Sequence, residues 1–257
     1  MLRTFLAGIL ALTLPLAALA TTVTVESVKG EATLGEARIH QGQKIVAPAT
    51  ISTDAGAQVL LKFDDGMQIV LGAESLFKIV DYRHTDTNVT DRAVFDLLKG
   101  SARVVTGRVA RDNPKQFFFR TPQTSLGIEQ PSDFTVVLVN PAYVTVNSGG
   151  VLSSNAAGTA KLAAGTTSGI ATSSAAPAAL TAGQLPASAG LATSNLATVA
   201  VTTPVGGTAA GVGAVAGGVG GAAVVVPVVA VGAAVAAGAA IAGSGGDEQL
   251  IPTPTHR

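Results

Sequence analysis

Over much of residues 21–170, apolar and polar residues alternate with a period of two, the signature of half-buried strands. The clearest runs are 21–28, 57–63, 67–71, 102–106, 116–120, 134–139 and 143–147, separated by Gly, Asp, Asn and Pro. No window sustains the helical i, i+3, i+4, i+7 spacing, apart from a short turn at 94–99. The expectation is an all-β domain of short strands and hairpins over residues 21–170. On pattern alone a sandwich, a barrel and a short β-solenoid fit equally.

One hairpin is fixed in detail. A three-residue loop of Asp64, Asp65 and Gly66 pairs Phe63 with Met67, Leu61 with Ile69 and Val59 with Leu71, and all six fall on one face. A two-residue loop mixes the faces, so the longer loop is preferred, with Gly66 at positive φ. Asp64 and Asp65 are then turn residues rather than a catalytic or calcium-binding pair. Asn140 and Pro141 make a second turn, and Asn147-Ser148-Gly149-Gly150 a third.

The ends of the chain have a different character. Arg3, an apolar stretch up to Leu16 and the small-residue pattern Ala18-Leu19-Ala20 read as a signal peptide over residues 1–20, cleaved after Ala20. It directs the mature protein to the periplasm or cell envelope of a Gram-negative-type bacterium. From Leu162 to Gly246 no residue is charged. Residues 171–204, rich in Ala, Ser and Thr, lack the bulk for a core and read as a flexible linker. Residues 205–246 are Gly/Ala/Val-rich and apolar. Within them, 222–242 carries no polar side chain and is just long enough to cross a membrane as a C-terminal helix. With Val, Ala and Gly the insertion energy is marginal, so a membrane anchor and a self-associating Gly-rich tail both stay open. Residues 247–257 are a polar tail.

Charge and chemistry narrow the function. Sixteen Lys and Arg balance sixteen Asp and Glu, so no global field points to nucleic acid. The absence of cysteine removes disulfides, thiolate metal sites and thiol catalysis. His40, His84 and His256 form no close-spaced ligand motif. Asp81, Asp86 and Asp91 flank a polar loop at 83–92 that reads as solvated. Arg103, Arg108, Arg111, Lys115 and Arg120 form a locally basic group, a candidate contact for an acidic polymer or lipid head groups. No catalytic, cofactor or metal site is assigned.

Several stretches together resemble the FecR-domain family. They are Gly42-Gln43-Lys44-Ile45, Ile51-Ser52-Thr53-Asp54, Val59 through Gly66, and Phe95 through Gly107. Phe119-Arg120-Thr121-Pro122, Leu126-Gly127-Ile128, Phe134 and its strand, and Val146 through Val151 follow in the family's order. The resemblance covers roughly residues 28–165. It implies a periplasmic, solenoid-like β domain that works by contact with other proteins. The namesake members regulate iron-responsive sigma factors through a cytoplasmic segment before a transmembrane helix. Here only Met1-Leu2-Arg3-Thr4 precedes the apolar stretch, so the chain resembles the exported stand-alone kind. The family's Arg-Gly-Thr-Asp-Phe run is replaced by Glu129-Gln130-Pro131-Ser132-Asp133-Phe134, in which only Asp133 and Phe134 match. Glu129, Gln130, Ser132 and Asp133 are therefore a candidate partner-contact loop. The expected function is a non-enzymatic binding or scaffold module for an envelope protein, needing no cofactor. The alternatives are a signalling regulator relaying through 222–242 and a hydrolase of cell-wall polymers.

Overall fold

The structure, a computed structural model, describes residues 21–85, 90–181 and 184–201. The readings of residues 1–20, 205–246 and 247–257 lie outside the described residues. The chain divides into two compact units, Met1–Ala214 and Val215–Arg257, and every described residue belongs to the first. Strands β1 (Thr22–Lys29), β2 (Ala32–Leu34), β3 (Ala37–Arg38), β4 (Lys44–Val46) and β5 (Ala49–Thr53) come first. A hairpin of β6 (Gln58–Phe63) and β7 (Gln68–Leu71) leads to β8 (Leu76–Arg83) and the long β9 (Arg92–Val105). Helix α1 (Arg108–Asp112) and a 3-10 turn precede β10 (Phe117–Arg120) and two more long strands, β11 (Ser125–Leu138) and β12 (Ala142–Asn155). Strands β13 (Gly158–Ala163), β14 (Thr167–Ile170) and β15 (Ala178–Leu180) and helix α2 (Ala187–Ala197) complete it.

These strands make one all-β sheet that is not closed into a barrel. It folds into two facing layers because β9, β11 and β12 each change neighbours midway. One layer holds β1, β6, β7, β14 and β15 with the second halves of β9 and β11 and the first half of β12. The other holds β5, β8, β10 and β13 with the remaining halves. Phenylalanines fill the space between. Phe63 meets Phe95 at 5.4 Å between ring centroids, Phe95 meets Phe77 at 5.7 Å, and Phe119 meets Phe134 at 5.8 Å. All five are fully buried. Ring pairs of this kind add about 0.5–1.5 kcal/mol each beyond the area they bury.

The corner where β9 changes layers is built a second time in β12. At the first, Ser75 N–H donates to Thr53 Oγ1 at 2.8 Å, and Ser75 Oγ accepts from Ser101 N–H at 3.0 Å. At the second, Ser132 N–H donates to Thr106 Oγ1 at 2.8 Å, and Ser132 Oγ accepts from Gly150 N–H at 3.0 Å. Gly100 (φ 86°) and Gly149 (φ 83°) stand just before Ser101 and Gly150, whose N–H groups donate to the two serines, and a Cβ there would overlap Ser75 or Ser132. The registers repeat as well. Phe77, paired with Ile51 and Leu97, corresponds to Phe134, paired with Val104 and Val146. Leu61–Ile69 corresponds to Phe119–Leu126, and Leu71–Ala102 to Ile128–Val151. A unit running from β5 to β9 therefore recurs from the second half of β9 to β12. That half-strand is shared, and equivalent strands fall in opposite layers.

Three sequence expectations change. Residues 94–99 are not a helical turn but part of β9, where register shifts against β8 break the alternation. Asn147 to Gly150 is not a turn, because β12 runs through it and bends at Gly149. The stretch read as a flexible linker holds a strand on β14 and a docked helix. Its small residues lack bulk of their own, but the sheet supplies it. Leu196, fully buried, packs on Leu60 and Val70, and Ala189 packs on Val137 and Tyr143.

Candidate functional site

The Asp64–Gly66 loop sits at the rim of the β6–β7 hairpin. Phe63 N–H donates to Met67 carbonyl at 2.9 Å, and Gly66 takes φ 87°. Asp64 is exposed and accepts from Thr22 N–H at 2.7 Å. Asp65 points inward. Its carboxylate accepts from Met67 N–H at 3.0 Å, Val109 N–H at 3.1 Å and the Tyr82 hydroxyl at 3.1 Å. Burial raises its pKa above the ordinary carboxylate range, and these donors pull it part of the way back. Burial, with the Asp65 charge alongside, also raises Tyr82. The cluster ties hairpin, β8 and α1 together.

His84 lies beside it. Its Nδ1–H donates to Asp91 Oδ2 at 2.9 Å, and its Nε2 accepts from Arg108 Nη2 at 2.9 Å. An arginine always donates, so this contact selects the neutral ring with the proton on Nδ1. Burial by itself raises Asp91, but hydrogen bonds from His84 and from the backbone and hydroxyl of Thr85 outweigh it and hold the carboxyl low. Both nitrogens of His84 are thus engaged in structure. Asp81 faces Arg83 and Arg92, while Asp86 and His256 lie outside the described residues. Among the described residues no group of three or more His, Cys, Asp or Glu side chains is placed to hold a metal ion.

The candidate contact loop is a bulged stretch of β11 rather than a loop. Glu129 and Gln130 are exposed. Ser132 is the buried pin of the second corner, and Asp133 accepts a two-pronged contact from Arg103 at 2.7 and 3.0 Å plus one from Asn147. Neither Ser132 nor Asp133 is available to a partner. Nor do the five basic residues form one open patch. Arg103 pairs with Asp133, Arg111 with Asp112 and Arg120 with Asp96, while Arg108 turns to His84. Arg111 takes its chain neighbour Asp112, but spacing along the chain could not show that Arg103, Arg108 and Arg120 find Asp133, His84 and Asp96 far away in the sequence. Asn140 and Pro141 join β11 to β12, with Leu138 opposite Ala142.

One outward face of the sheet is apolar. Phe118, Gly127 and Leu152 line a groove of about 480 Å³, flanked by Lys115 and Glu129. On the other layer, α2 covers Leu60 and Val70. Neither face was singled out from the sequence. Phe118 reads there only as part of the strand run 116–120, and Gly127 only as part of the Leu126-Gly127-Ile128 stretch.

The family model described as FecR protein matches residues 49–152. The chain carries a FecR domain. The match begins at the first residue of β5 and ends within β12, so the FecR domain coincides with the two repeated units. Two crystal structures of a candidate anti-sigma factor from Parabacteroides distasonis ATCC 8503 are similar to it at 19% and 18% identity, with TM-scores of 0.41 and 0.40. Each alignment covers 51% of this chain and 57% of the other, so the chain spans little more than half the length of those structures. A comparison with curated proteins finds no match.

Proposed function

We propose that the protein is an exported, non-enzymatic binding module of the cell envelope, whose FecR domain is a short solenoid-like platform for another protein. The observation that carries this reading is the outward groove beside Phe118. It is an apolar face on a domain whose inward polar groups are engaged in holding the fold. The duplicated unit supports the solenoid-like description, since each repeat stacks its strands on the last strand of the one before. Export rests on residues 1–20, and the region at 222–242 leaves a membrane tether and a self-associating tail as the two forms of attachment. Among the described residues no helix is long and apolar enough to cross a membrane.

Full-length protein incubated with solubilised envelope fractions tests this reading. Retention of one envelope protein in fixed ratio is expected, with loss on Phe118→Asp. Turnover of cell-wall polymer by the purified protein would overturn it in favour of a hydrolase.

A further inference from the structure

The repeat gives the open groove a filled counterpart. Leu60 and Val70, next to the paired residues Leu61 and Ile69, correspond to Phe118 and Gly127, next to Phe119 and Leu126. Val70 stands opposite Arg103 just as Gly127 stands opposite Leu152. The first face is occupied: Leu196 of α2 sits on Leu60 and Val70, and Gln58 Nε2 donates to the Asn195 carbonyl at 3.1 Å. The second is the groove.

We propose that this groove binds a short uncharged helix of a partner protein, seated by one leucine-sized side chain, as α2 is seated by Leu196. The inference rests on the binding-module reading above and names the partner's chemistry. Four features bear on it. Gly127 in place of Val70 leaves room for the anchoring side chain, with only Leu152 Cβ within 4 Å of where a Cβ would stand. Leu152 in place of Arg103 makes the floor apolar, at the loss of the contact by which Arg103 Nη1 reaches the Ala197 carbonyl of α2 at 3.5 Å. The acid at the rim, Glu129, is already paired with Lys161 at 2.6 Å, so a helix without acidic or basic residues, like α2, meets no unmatched acid there. Gln116, in the 3-10 turn three residues before Phe119 as Gln58 is three before Leu61, is exposed, with an amide able to donate to the last carbonyls of such a helix.

The test uses full-length protein and a blocked peptide of residues 184–201, which carries the α2 sequence, as the probe. Binding is read by chemical-shift changes in the labelled protein. Changes around Phe118 and Leu152 are expected. Leu196→Ala in the peptide, or Gly127→Leu in the protein, should weaken binding at least tenfold without lowering the unfolding midpoint of the protein. Absence of binding, or binding insensitive to Gly127→Leu, would overturn the proposal. So would self-association that Gly127→Leu abolishes, because the occupant would then be a second copy. If the envelope partner is retained through Phe118 while the peptide fails to bind, the helix inference falls and the binding-module reading stands.

Discussion

Single side chains here act mainly as fasteners. Asp65 is one, because its carboxylate takes three donors from three parts of the fold. Asp65→Ala leaves Met67 N–H, Val109 N–H and the Tyr82 hydroxyl without that acceptor, and a loss of about 3 kcal/mol is expected in urea unfolding. Asp65 and Asp91 respond to pH in opposite senses. Asp65 binds its proton more tightly in the folded state, so it favours folding at low pH and opposes it as pH rises through its raised folded value. Asp91 has a lowered folded value, so its contribution is present above about pH 4, its unfolded range, and is lost as pH falls through the folded value. Asp91→Asn should therefore flatten the acid side of a urea-midpoint profile. An unchanged acid limb would show that the His84 and Thr85 contacts contribute nothing there.

The elements depend on the two corners. Gly100→Ala and Gly149→Ala each force a Cβ into a serine at positive φ, and each should cost about 2–4 kcal/mol. Gly127→Ala, whose Cβ would meet Leu152 Cβ at an ordinary van der Waals 3.9 Å, should change stability by less than about 0.5 kcal/mol. Thermal unfolding of the three variants checks both statements. The same corners mark the limit of what the sequence shows. The β6–β7 register is legible because Val59, Leu61, Phe63, Met67, Ile69 and Leu71 all turn inward. The layer change in β12 is not, because Asn-Ser-Gly-Gly has turn composition and contacts distant in sequence, among them the Ser132 hydroxyl and the pairing with β11, keep the strand running. Helix α2 is hidden for a related reason. Ala, Ser and Thr carry little amphipathic signal, and its position depends on Leu196 finding Leu60 and Val70. Leu196→Ala should cost about 2–5 kcal/mol of docking. Hydrogen exchange would then rise across residues 187–197 and stay unchanged in β5 to β12.

On the scale of the molecule, the described unit presents two equivalent faces in unequal states. One is closed by the chain's own helix, the other is open and more apolar. The candidate site was only partly legible, since a repeat spread over long strands with few identical residues emerges from paired registers rather than from sequence similarity. Ser75-Leu76-Phe77 against Ser132-Asp133-Phe134 is its faint trace. A face used for binding and a face used for internal packing should differ in what reaches them inside the cell. The direct measurement is photo-cross-linking in living cells, with a photoreactive residue placed in turn at positions 118, 152, 60 and 70 of the full-length protein. A discrete adduct with a second protein at 118 and 152, and only internal products at 60 and 70, is the predicted result. Equal adducts at all four positions, or none at 118 and 152, would contradict the reading of the open FecR face as the binding surface.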